Sequence, residues 1–142
     1  MTFDLSKFEL EDTAALTVQN AREDGDLLND GKPVIINLYG SGSAQYQKAK
    51  HKADNAASMR AYGAMRGKTT SNPSEIAERE INEKLAACTA SITNFPIDAL
   101  ALYSNPKLGY IRSQVIKFLD DNGNFLPVSQ QNSNVTSDTL LG

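Results

Sequence analysis

An extended stretch that runs into Gly40-Ser41-Gly42-Ser43 and then into a helix is one arrangement in which backbone N–H groups and a helix N-terminus can hold a phosphate. No Gly-Lys-Ser/Thr follows here, the glycine spacing is not that of a dinucleotide fingerprint, and no complete βαβ unit is visible, so these four residues read as a tight structural turn. The chain has one histidine, one cysteine and no tryptophan, which leaves few parts for a Cys/His metal site or a Ser-His-Asp constellation. His51 stands between Lys50 and Lys52 with only Asp54 in helical reach, and reads as a surface residue. Cys88 falls on an apolar helix face, where a thiol acts as a small inert hydrophobe. Glu75, Glu78 and Glu83 offer paired carboxylates by spacing alone, but Glu75 suits a helix cap and the other two share a face with Arg79 and Lys84, as solvated ion pairs do. No catalytic residue, metal site or cofactor is expected. An enzyme would need a pocket around Ser41, Ser43 and Lys48.

The elements that would position these groups follow from periodicity. Phe8, Leu10, Ala14, Leu16 and Val18 recur in period two, which predicts a half-buried strand over about 8–20. Turn formers at 22–26 and 29–33 lead to a second strand, Val34-Ile35-Ile36-Asn37-Leu38-Tyr39, making an antiparallel hairpin with an elaborated loop. Ala44 to Arg66 is rich in alanine and long charged side chains and reads as a helix, capped by Ser43 or Ser41. On this long, exposed helix Tyr46, Ala49, Ala53, Ala56 or Ala57, and Met59 or Arg60 follow steps of three and four residues, giving a narrow face of small residues. A second helix opens at Asn72-Pro73-Ser74-Glu75 and is expected to carry Ala77, Ile81, Leu85, Cys88 and Ile92 on one face until Asn94-Phe95-Pro96 ends it. Two more helices are predicted, Asp98 to Ser104 and Pro106 to Asp121, the latter with Gly123 just past its end.

The fold class expected is α+β: an N-terminal antiparallel β-hairpin packed with about four helices in one domain, residues 1–127. The 142-residue chain is 40% hydrophobic and 22% charged, enough to bury roughly two-thirds of its unfolded surface. Residues 128–142 hold Ser, Gln, Asn and Thr with one charge, Asp138, and read as a flexible polar tail. No apolar run approaches the ~20 residues of a membrane span, and residues 1–7 lack a signal-peptide pattern, so the expected compartment is cytoplasm. Charge is segregated. Residues 1–31 carry eight acids against Lys7 and Arg22, a balance of −6, whereas residues 43–68 carry six bases against Asp54, a balance of +5. That pattern suits complementarity within or between copies, and a homo-oligomer is expected. The basic stretch Lys48-Ala49-Lys50-His51-Lys52 has one aromatic nearby, Tyr46, in a chain of net charge −3, so no nucleic-acid partner is expected. The partner-binding surface is placed on Tyr46, Lys48, Ala49, Lys52, Ala53, Ala56 and Arg60.

Lys32 to Tyr46, with its strand, Tyr-Gly-x-Gly-Ser turn and Gln-Tyr helix start, resembles the tail assembly chaperones encoded in tail gene clusters of long-tailed phages and prophages. The stretches Cys88 to Phe95, Tyr103 to Val115 and Asn124 to Leu126 fit the same resemblance, which spans about residues 5–127. Ser41 stands where many relatives carry Pro, and the tail after Val128 has no counterpart in them. The resemblance implies a non-enzymatic protein of the infected host's cytoplasm. Such proteins bind the tape measure protein, keep its apolar helices in solution, and are displaced as tail-tube subunits polymerise. A longer frameshifted companion is common in such clusters. The alternative is a structural subunit of the tail, connector or head retained in the mature virion.

Overall fold

Asp30 and Gly31 both take positive φ (51° and 76°), the backbone of a two-residue hairpin turn. They join two minimal strands, β2 (Leu28–Asn29) and β3 (Lys32–Pro33), in the computed structural model, which describes residues 3–67 and 73–127. This small hairpin is the elaborated loop between the main strands β1 (Thr13–Thr17) and β4 (Ile35–Tyr39). β1 and β4 pair antiparallel, Thr13 opposite Tyr39 and Thr17 opposite Ile35, so the expected N-terminal hairpin is present. Alternation along β4 sends Ile36 and Leu38 into the core, fully buried, while Ile35, Asn37 and Tyr39 face the other side half-buried. The remaining elements are α1 (Ala44–Met65), α2 (Pro73–Ala87), β5 (Thr89–Thr93), α3 (Ala99–Ser104) and α4 (Gly109–Leu119), with 3-10 turns at Leu5–Lys7, Pro106–Leu108 and Asn122–Phe125. The fold is α+β, with an antiparallel sheet and four helices.

The sheet has three strands in the order β1-β4-β5, and the third corrects the sequence expectation. The helix predicted to carry Cys88 and Ile92 ends at Ala87, and Thr89–Thr93 pairs with β4 instead. Tyr39 N–H donates to the Cys88 carbonyl, and the Thr89 hydroxyl donates back to the Leu85 carbonyl, closing the last turn of α2. The free edge of β4 and the β-branched Thr89, Ile92 and Thr93 outweigh an apolar spacing that would equally suit another helical turn. Asn94, at φ 65°, then donates from its side chain to the Pro33 carbonyl and accepts at its own carbonyl from the Asn29 amide, fastening the small hairpin to the end of β5.

The first strand is also shorter than the predicted 8–20. Asp4 caps a 3-10 turn at Leu5–Lys7, Phe8 is exposed, and the ladder to β4 begins only at Thr13. Beyond the ladder, Glu11 N–H donates to the Phe125 carbonyl (2.6 Å), and Gln114 holds Gln19 at both ends, accepting its N–H (2.7 Å) and donating to its carbonyl (2.9 Å). These bonds occupy the outer side of the strand and tie it to the C-terminal third of the chain.

The last predicted helix is divided into a 3-10 turn capped by Asn105 and then α4, whose Ile111, Val115 and Leu119 are buried. Gly123 lies within the following 3-10 turn, its N–H held by Asp121, and does not end the helix directly. Helices α2, α3 and α4 cover one face of the sheet, where Val18, Val34, Ile36, Leu38, Leu102, Ile111 and Phe125 form the centre of the core. Ile81, expected on the inward face of α2, is exposed, because that helix turns Asn82 and Leu85 inward. Asn82 is satisfied by Arg112, whose Nε donates to its Oδ1 (2.7 Å). The expected Asn72 cap and the expected flexible tail at 128–142 lie outside the described residues. No helix among the described residues is long and apolar enough to cross a membrane.

Candidate functional site

Ser43 starts the helix that carries the expected binding residues. Its Oγ accepts from Tyr46 N–H (3.1 Å) and donates to the Gly40 carbonyl (2.7 Å), with no exposed surface left. The cap is therefore Ser43 and not Ser41, whose hydroxyl donates to Asn122 Oδ1 (2.9 Å). The Ser43 hydroxyl closes the turn, and the Ser41 hydroxyl ties it to the last 3-10 turn. Ser43→Ala should cost about 1–2 kcal/mol, because it removes the cap of a long helix and the buried donor to Gly40 together; urea unfolding followed by circular dichroism measures it.

From that cap, steps of three and four residues put Tyr46, Ala49, Ala53, Ala56 and Arg60 on the side of α1 that faces α2. Alanines there allow the two helices to approach closely. The contact is fastened at both ends. Arg60 binds Glu80 through two parallel bonds, Nε to Oε1 (2.9 Å) and Nη2 to Oε2 (2.6 Å), and the Lys84 ammonium sits 5.3 Å from the centre of the Tyr46 ring. Between these ends a cleft of about 80 Å³ opens, with Ala49, Ala53 and Ala56 as its floor and Lys52, Glu80, Glu83, Lys84 and the exposed Ala87 around it. That volume suits one inserted apolar side chain and is well below the roughly 300 Å³ at which small-molecule sites begin. The chemistry it offers is packing against alanine methyls, with charge of both signs around the entrance.

The structure thus gathers six of the seven expected binding residues, Tyr46, Ala49, Lys52, Ala53, Ala56 and Arg60, about one helix pair. Lys48 is the exception and points outward, exposed with Lys50 and His51. Cys88 is fully buried beyond the end of α2, and burial pushes its thiol above the ordinary range, partly opposed by Lys84. Burial likewise raises Tyr103, whose hydroxyl bonds Thr89 Oγ1 (2.7 Å). Both are core groups held protonated at neutral pH. Glu83, at the rim of the cleft, lies 3.9 Å from Arg79, and Glu75 is in the first turn of α2. Among the described residues no group of three or more His, Cys, Asp or Glu is placed to hold a metal ion.

Sequence reasoning missed two exposed apolar groups. One is Met59, Tyr62 and Met65 on the last turns of α1; the other is Phe3, Leu5 and Phe8, where the two rings stack with centroids 5.7 Å apart. In the first, Met59 stands as the alternative to Arg60 at the end of the small-residue face, and the structure turns Arg60 toward α2 and leaves Met59 exposed. The second was hidden because Phe8 continues the period-two pattern of the strand. Compared with protein-family models, curated proteins and solved structures, the chain matches none.

Proposed function

We propose that this chain is a non-enzymatic tail assembly chaperone of a long-tailed phage or prophage, acting in the host cytoplasm on the tape measure protein and assisting assembly of the tail tube around it. The observation that carries the reading is the alanine-floored cleft between α1 and α2. A long apolar helix presents side chains at three- and four-residue intervals, and a shallow cleft with a mixed-charge rim can hold one such side chain and release it when tube subunits compete. The resemblance of residues 32–46 supplies the biological setting.

The reading is tested by co-expression with the tape measure protein of the same gene cluster. Ala53→Arg fills the cleft, and Lys52→Glu, at an exposed rim position, reverses a charge without touching the floor. Both should reduce the tape measure protein recovered with the chain by about tenfold or more. Undiminished recovery with both variants would remove the cleft from consideration. Mass analysis of purified particles beside infected-cell lysate separates the role itself: abundance in lysate and absence from particles fits an assembly factor, while a defined copy number in particles fits a structural subunit.

A further inference from the structure

Two exposed apolar patches lie in surroundings of opposite sign. Phe3, Leu5 and Phe8 are each more than half exposed, Phe3 at 76%, beside three acids, Asp4, Glu9 and Glu11, against the single base Lys7. Met59, Tyr62 and Met65 are each more than half exposed as well, Met65 at 87%. Arg66 lies over the Tyr62 ring at 5.4 Å, and Lys52 and Lys48, seven and eleven residues before Met59, are exposed along the same side of α1, whereas Arg60 is already held by Glu80. Neither patch can cover the other in one molecule. Leu10 sits at the base of α1, its Cβ 3.9 Å from where a Cβ on Gly42 would lie, and a helical rise of about 1.5 Å per residue carries Met59 about 25 Å further along.

We propose that the acidic aromatic patch around Phe3 and Phe8 of one copy docks on the basic Met59–Tyr62–Met65 patch of the next, so that the chain associates head to tail. A second copy supplies both halves of the match in one gene product: apolar against apolar, carboxylates against lysine and arginine. Aromatic side chains and pliable methionines are effective anchors, and the opposed charges select orientation and make the contact salt-dependent. Because the two surfaces differ, each added copy leaves one of each open; growth continues until a ring closes or the ends remain free. This does not rest on the tail-assembly reading, since it uses neither the α1–α2 cleft nor a foreign partner.

The test uses the full chain and two double variants confined to exposed positions, Phe3→Ser with Phe8→Ser, and Met59→Glu with Met65→Glu, each checked for an unchanged thermal melt. Sedimentation over a range of concentration and salt should show the native chain growing past a dimer, with mean mass rising with concentration and falling with salt. Each variant alone should be monomeric. Mixed in equal amounts, the two should form a dimer and nothing larger, because only one working contact is left. A native chain that stays monomeric at its highest soluble concentration in low salt overturns the proposal. So does a variant that retains native mass, or a mixture that fails to pair. A monomeric native chain whose variants lose a different protein from the lysate would assign these patches to that protein instead.

Discussion

Gly40→Ala is expected to melt about 6–12 °C below the native chain, a loss of about 3 kcal/mol. A Cβ at this position would lie 2.5 Å from Phe125 Cδ1, 2.8 Å from Cγ and 2.9 Å from Cε1, inside contact distance of three ring atoms at once. Neither side can give way easily. Gly40 N–H is bound to the Asp12 carbonyl, and the Gly40 carbonyl accepts from both the backbone N–H and the hydroxyl of Ser43. The ring is 1% exposed and packs edge-on against Phe118, centroids 5.5 Å apart, while the Phe125 carbonyl is held by Glu11. Calorimetry on the two proteins measures the difference, and a melt within about 2 °C of native would show that the ring has room to shift.

Phe125→Ala should cost still more, about 3–5 kcal/mol, because it empties a large, fully buried aromatic side chain of the core at the point where the last 3-10 turn meets the sheet. The two substitutions should not add. With the ring gone, the methyl of Gly40→Ala enters vacated space, and its cost should fall below about 1 kcal/mol, leaving a coupling of about 2 kcal/mol in the double-mutant cycle. Urea titration of the four proteins measures it. Additive losses would mean that Gly40 is constrained by its backbone and not by the ring.

Much of the architecture was legible from period and punctuation. The 34–39 run has strong β propensity, the alanine-rich stretch from Ala44 has nothing that would break a helix before its last turns, and Ser43 is a strong cap, so β4 and α1 appear within one or two residues of their expected bounds. What failed depended on partners distant in sequence. Leu85, Cys88 and Ile92 are spaced as if on one helix, and only the open edge of β4, fifty residues earlier, makes Thr89–Thr93 a strand. Phe8 and Leu10 alternate as if in the sheet, but among the described residues no strand lies opposite them.

The site divides in the same way. The small residues of α1 were recognisable as a face, because alanine at three- and four-residue steps is a local pattern. That this face lies against α2, with Arg60 latched to Glu80, requires knowing how the helices fold back on one another. Exposed methionines and aromatics were harder to recognise, since a single sequence gives no measure of which apolar residues the core leaves out.

Gln114 grips Gln19 across 95 residues of sequence, and β4 needs a strand from each side of a long helical insertion before its own polar groups are paired. Loop closure of this length must precede most of the reward, so folding should be slow for a chain this size, in the millisecond-to-second range. During synthesis, Ile36 and Leu38 are made long before β5, α4 and Phe125, which later cover them. The nascent N-terminal half therefore spends its time at the ribosome with a bare apolar ladder and an open strand edge, and is a substrate for the cell's folding machinery until the C-terminal half is made.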